Sequence, residues 1–173
     1  MLIMSGKNKK GDLHIELIPK TCFYSNVRTL LPNKYWDKLR KESYEAANNV
    51  CEICGDTGKN QGYGHNVECH EIWDYNDKTR TQKLLGLISL CPKCHQVKHF
   101  GRTSAIGKQA QAFKHLEEVN NWSHKDCVKH AGDSMMVWKD RSQYKWKLDL
   151  SILNEKFDIP KKLITEAEKK RLL

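Results

Sequence analysis

Two Cys-x-x-Cys pairs, Cys51/Cys54 and Cys91/Cys94, frame the stretch of this chain where chemistry-bearing side chains crowd together. Each pair offers two sulfurs across one tight turn. The 36 residues between them bring the second pair back to the first, as a tetrahedral four-thiolate zinc site needs. Four thiolates leave no coordination position open, so such a zinc is structural and replaces core that a short segment cannot build. The rival reading, a redox Cys-x-x-Cys, needs only one motif and a thioredoxin-like βαβ pattern, which is missing here. Between and just beyond the knuckles lie the run Glu68-Cys69-His70-Glu71-Ile72-Trp73 and then His95 and His99. The last two are four apart, so on a helix both imidazoles share one face and can grip one ion. A third ligand from the earlier run completes a site with open positions, as a catalytic metal requires. Histidine and carboxylate ligation together suit Mg²⁺, Mn²⁺, Ni²⁺ or Zn²⁺. His65, beside a glycine-rich loop, is a weaker candidate for substrate or metal contact. His14, His115, His124 and His130 read as surface residues.

Positioning these groups takes a strand, a second strand and a helix. His65 to Trp73 reads as the first strand, and Asp74 to Lys83 as a polar turn. Leu84 to Leu90, almost entirely apolar, reads as a strand buried on both faces. Pro92 can start a short helix and Gly101 can end it. Upstream, a helix is expected over Pro32 to Asn49, capped by Asn33, with Trp36, Leu39, Ser43, Ala46 and Ala47 on one face. Downstream, Ile106, Ala110, Phe113 and Leu116 keep helical spacing, and Ser123 to Asp126 resembles a capping box opening another helix. Tyr144, Trp146, Leu148 and Leu150 alternate with polar residues as a strand does. From Asp158 the chain reads as a charged helix or tail. The expected organisation is a flexible basic N-terminus (1–20), a core (21–101) and a mainly helical C-terminal extension with one strand (102–173), in the α+β class.

Lys+Arg number 30 against 21 Asp+Glu, a formal charge of +9 on 173 residues. That excess favours a polyanionic partner, nucleic acid before a membrane surface. With 39% hydrophobic residues and a mean hydropathy of −0.73, an integral membrane protein is excluded. The longest apolar run, Leu84 to Cys91, falls far short of a span. Lacking a signal-like start, the chain is expected in the cytoplasm of a bacterial or phage-infected cell. Seven cysteines, an odd count, argue against a fully paired disulfide framework. Cys22, Cys69 and Cys127 are expected to be small buried apolar groups.

Over about residues 50–100 the chain resembles the HNH endonuclease family, the ββα-metal nucleases. The resemblance rests on both knuckles, the stretch Val67-Glu68-Cys69-His70-Glu71-Ile72, and the ending Leu90-Cys91-Pro92-Lys93-Cys94-His95; a leading helix through Trp36 is also typical. It implies a zinc-stapled ββα-metal core. Aligned on Ile72, it implies His70, His95 and His99 as ligands of a catalytic divalent cation and puts Glu71 at the general-base position. Two departures stand out. The base position holds a carboxylate where the family has histidine, and a carboxylate's ordinary pKa near 4.3 makes it a weaker base. In the alternative register His70 is the base and Cys69 or Glu68 the ligand. The asparagine that braces the base-carrying loop in the family is replaced by Gly86, leaving that brace to a loop residue such as Asn76. The resemblance implies one-metal phosphodiester hydrolysis of DNA, by an endonuclease or nickase of a size that suits a phage or mobile element. Arg80, Lys83, Lys98 and Arg102 are the candidate DNA contacts. The interleaved Trp138, Lys139, Arg141, Tyr144, Lys145, Trp146 and Lys147 fit either a phosphate-gripping surface or a strand with aromatic core and solvated lysine faces. Two rival functions remain: a catalytically impaired HNH-scaffold nucleic-acid-binding protein, and a zinc-stapled protein-interaction module or inhibitor.

Overall fold

The computed structural model describes residues 12–170. They form an α+β fold with one three-stranded sheet. Strands β1 (Glu68–Asn76) and β2 (Thr81–Leu90) make an antiparallel hairpin. Its turn is far shorter than the polar stretch Asp74 to Lys83 suggests. Asn76 Oδ1 accepts the amides of Lys78 and Thr79 at 3.0 and 3.1 Å, and Arg80 takes a left-handed φ of +52°. The register slips once: Ile72 faces Gly86 while Trp73 faces Leu84, so Leu85 bulges out of β2. β2 is the central strand, which is why its sequence runs apolar instead of alternating. The expected strand over Tyr144 to Leu150 shrinks to β3 (Lys147–Asp149), paired parallel to β2. Trp146 leaves the ladder because its buried indole donates to the Arg141 carbonyl at 2.9 Å and packs edge-on against Tyr75.

Helix α1 (Val27–Leu30) is capped by Asn26, whose side chain accepts the Thr29 amide at 2.9 Å. In α2 (Asn33–Ala46) the cap position is Pro32. Asn33 already lies inside the helix, and no side-chain cap bond forms. After β2, the helix α3 (Pro92–Lys98) is followed by α4 (Phe100–Ala105), α5 (Gln109–Asn120) and α6 (His124–Arg141). Gly101 lies within α4; the break falls at His99, whose ψ of 42° departs from helical values. Ser123 and Asp126 form the capping box that starts α6. Helices α7 (Ile152–Phe157) and α8 (Lys161–Lys170) complete the described chain. No helix among the described residues is long and apolar enough to cross a membrane.

Strand alternation divides the core between the two sheet faces. Ile72, Ile88 and Leu90 join Ile53, Val97, Phe113 and Leu116 on one side. Leu84 and Leu87 join Val27, Leu39, Leu150 and Ile164 on the other. Both clusters draw on residues from either side of position 101, so the C-terminal helices close the same core that the hairpin opens.

The expectation of a flexible N-terminus fails for residues 12–20, while residues 1–11 lie outside the described part. Leu13 and Ile15 are buried in the first cluster. Leu13 exchanges two hydrogen bonds with the Asn120 side chain, at 2.9 and 2.7 Å. The Ile15 amide donates to His130 Nε2 at 3.0 Å, so His130 is half-buried and not the surface residue expected. The alternation of Leu13, Ile15 and Leu17 carries this segment into the core despite its lysine-rich flank. Truncating Leu13 or Ile15 to alanine should therefore cost about 2–5 kcal/mol of unfolding free energy. Denaturant melts check this; an unchanged midpoint would mean that the segment adds nothing to the fold.

Candidate metal centres

The sulfurs of Cys51, Cys54, Cys91 and Cys94 lie within 4.8 Å of one another, and all seven cysteines are free thiols. In the first knuckle Gly55, at a φ of +78°, closes the turn by donating its amide to the Cys51 carbonyl at 2.9 Å. In the second, Cys91 is the N-cap of α3 and Pro92 its first residue, so one short segment ends β2, turns and starts the helix. Four like thiols at this spacing cannot all ionise alone. Their mutual hydrogen bonds hold Cys51 and Cys91 below the usual thiol range and push Cys54 and Cys94 above it. A divalent cation removes that conflict, and the donor set suits zinc. His115 is corrected from a surface residue to a buried neighbour of this cluster. Its Nε2 lies 3.2 Å from Cys94 Sγ, within reach of a hydrogen bond to the sulfur in the tautomer protonated there.

Beyond the staple, β1 and α3 converge three imidazoles. One ring nitrogen each from His70, His95 and His99 lie within 4.8 Å of one another, and ring centroids stand 4.6–5.3 Å apart. His70 Nε2 is hydrogen-bonded to Glu16 Oε2 at 2.9 Å, and His95 Nδ1 to Glu68 Oε2. Each bond leaves the ring's other nitrogen available, the carboxylate–histidine pairing that orients metal ligands. Burial, with His70 and His95 nearby, holds the His99 imidazole down at about 3. Burial likewise lowers His70. Both therefore stay neutral, the form that ligates. His65 does not join the centre; its Nε2 braces Glu68 from behind at 2.8 Å.

Glu16, which no local sequence pattern marks, also belongs to this site. Besides His70 it bonds Lys98 Nζ at 2.6 Å. Burial pushes its carboxyl up, but His70 and Lys98 outweigh that and hold it at about 2. Lys98, expected on DNA, is fully buried and committed to this pair. Arg80 stacks on Tyr144 at 3.5 Å and pairs with Asp77 at 3.7 Å. Lys83 pairs with Asp149 at 3.5 Å. Of the four expected phosphate contacts, only Arg102 lines the cleft of about 780 Å³ beside the histidines. Arg28 lines it too, with nothing in its local sequence to mark it.

No protein-family model, curated protein or solved structure matches this chain.

Glu71 points to the sheet face opposite His70 yet lines the same cleft. Its Oε1 accepts the Val27 amide at 2.8 Å and its Oε2 the Trp73 indole N–H at 3.2 Å, with the Arg28 amide as a further donor. Burial outweighs these donors and lifts the carboxyl to about 7. At that value the carboxyl holds a proton far more readily than an ordinary carboxylate. Asn76 does not brace it, being committed to the hairpin turn; the α1 amides and Trp73 do. Of the alternative ligands, Cys69 lies on the Glu71 face with its thiol pushed up by burial to about 12, and Glu68 backs His95.

Two classes of bound ion are expected per chain by elemental analysis, one chelator-resistant and one exchangeable. Cys91→Ser should lose the first and with it the fold, while His95→Ala should lose only the second. Glu16→Gln should weaken the exchangeable ion about 10–100-fold in calorimetric titration, and an unaltered affinity would remove Glu16 from the site.

Proposed function

We propose that this chain is a metal-dependent DNA endonuclease or nickase of the HNH type, hydrolysing phosphodiester bonds. The observation that carries the reading is the convergence of His70 from a hairpin strand with His95 and His99 from the next helix, beside Glu71 in one cleft. The order β1–β2–α3 on a four-thiol staple supports the ββα-metal reading. A net charge of +9 and the exposed Arg28 and Arg102 at the cleft suit a polyanionic strand.

The three imidazoles would hold one divalent ion, Mg²⁺, Mn²⁺, Ni²⁺ or Zn²⁺, which supplies charge stabilisation at the phosphoryl and leaving oxygens. Glu16 and Glu68 fix the orientations of His70 and His95. Glu71 accepts a proton from the attacking water, and its three donors hold the carboxylate in place for that transfer. Arg28 and Arg102 steer and neutralise the backbone. The engagement of both Glu71 oxygens also favours a second reading, a scaffold that binds nucleic acid without turnover.

Incubation of supercoiled plasmid with each ion in turn tests the proposal. Wild type should nick or linearise it, whereas His95→Ala and Glu71→Gln should each fall at least about 100-fold, Glu71→Gln keeping the exchangeable ion. Equal cutting by His95→Ala would overturn the site. Salt-dependent DNA binding without any cutting would select the second reading.

A further inference from the structure

The cleft is larger and more apolar than phosphodiester chemistry needs. Phe23, Trp36, Met135 and Trp138 wall it; the Trp138 indole is already spent on the Ile18 carbonyl at 2.9 Å, and Phe23 and Met135 offer a phosphate or an ion nothing. At its floor stands Gln82, 1% exposed. Its Oε1 has no hydrogen-bond partner, and its Nε2 only reaches the Ser25 carbonyl at 3.5 Å. Swapping the amide's oxygen and nitrogen would set two carbonyl oxygens against each other, so the orphan is the acceptor. A buried, unpartnered acceptor on a residue that lines a cavity calls for an N–H donor, which an occupant can supply as the side chain turns toward it.

Aromatic and apolar walls, an unpartnered amide acceptor and arginines in the lining together describe a pocket for a flat, N–H-bearing ring attached to an anionic backbone. Arg28, Arg102, His95 and His99 also border a second cleft of about 690 Å³. A backbone crossing from one cleft to the other therefore passes over the histidines, flanked by the arginines. Phe23 and Tyr24, 55% and 83% exposed, stand on the segment that forms the mouth, available to stack on neighbouring bases. In a paired duplex the Watson–Crick N–H groups are already used and the bases stay stacked. Only an unpaired base can enter and reach Gln82.

We infer that the cleft receives one unpaired nucleobase, so that the strand cut at this centre is single-stranded or locally unpaired DNA. The inference rests on the nuclease reading for the cutting step, and on the cleft alone for binding.

Three end-labelled substrates of one sequence distinguish the cases in the presence of Mn²⁺: a single strand, a duplex with a two-base bulge, and a fully paired linear duplex. The first two should be cut at least about tenfold faster than the third. Octathymidylate, whose N3–H is the matching donor, should quench tryptophan fluorescence without added divalent ion. Gln82→Leu should weaken that binding about tenfold, the loss expected for one hydrogen bond to a buried group. Its thermal midpoint should be unchanged or raised, since an apolar side chain of similar volume removes the orphaned oxygen. Phe23→Ala, at an exposed rim position, should weaken binding without perturbing the fold and serves if Gln82→Leu does not fold. His95-dependent cutting at equal rates on all three substrates would overturn the inference and leave the nuclease reading standing. Octathymidylate binding unaffected by either substitution would also overturn it. Binding that depends on Gln82, with no His95-dependent cutting of any substrate, would keep the cleft assignment and remove the nuclease reading.

Discussion

Everything near the histidines depends on four thiols meeting at one point. Cys91 directly follows the central strand and caps α3, and His95 follows Cys94 directly. Any loosening of the sulfurs therefore swings the helix that carries two of the three imidazoles. Cys51 and Cys54 anchor the far side of the same point, so a loop of more than thirty residues is closed by side-chain chemistry. Closing it costs chain entropy that a small core would struggle to offset. His115 adds a link from α5, which ties the C-terminal helices to the staple as well as to the core.

The second constraint is a buried charge. Lys98 has no solvent access, and a lone ammonium there would be strongly unfavourable. Glu16 meets it and at the same time holds His70, so one carboxylate serves the fold and the site together. Breaking such a pair from one side typically costs about 3–5 kcal/mol. That penalty gives the N-terminal segment a defined place over α3, reinforced by the bond from the Glu16 amide to the Lys98 carbonyl at 3.1 Å.

What could be read from the sequence was local. The thiol spacing, the four-residue step from His95 to His99, the apolar β2 and the Ser123–Asp126 box each lie within a few residues, and periodicity or capping chemistry reports on that range. Glu16, Arg28 and His115 gain their roles from partners brought in by the fold, and no local pattern marks them. Lys98 shows the converse. A lysine beside a candidate ligand looks like a phosphate contact until an acid 82 positions away claims it. At the N-terminus lysine content points to flexibility, yet the short alternation of Leu13, Ile15 and Leu17 packs the segment against the core.

His70 and Glu71 are neighbours on a strand, so alternation must send them to opposite faces. In a central strand that would separate them by the thickness of the sheet and by whatever packs on each side. β1 is an edge strand, and the cleft is lined by Cys69, Glu71 and Trp73 from one of its faces and by His70 from the other. On the proposed reading a group in the cleft meets the imidazoles from one side and the carboxylate from the other. In-line displacement asks for that separation, since the attacking and departing oxygens stand on opposite sides of phosphorus. The edge position, with no further strand paired to it among the described residues, is on the proposed reading what allows two adjacent residues to act on one phosphate from two directions.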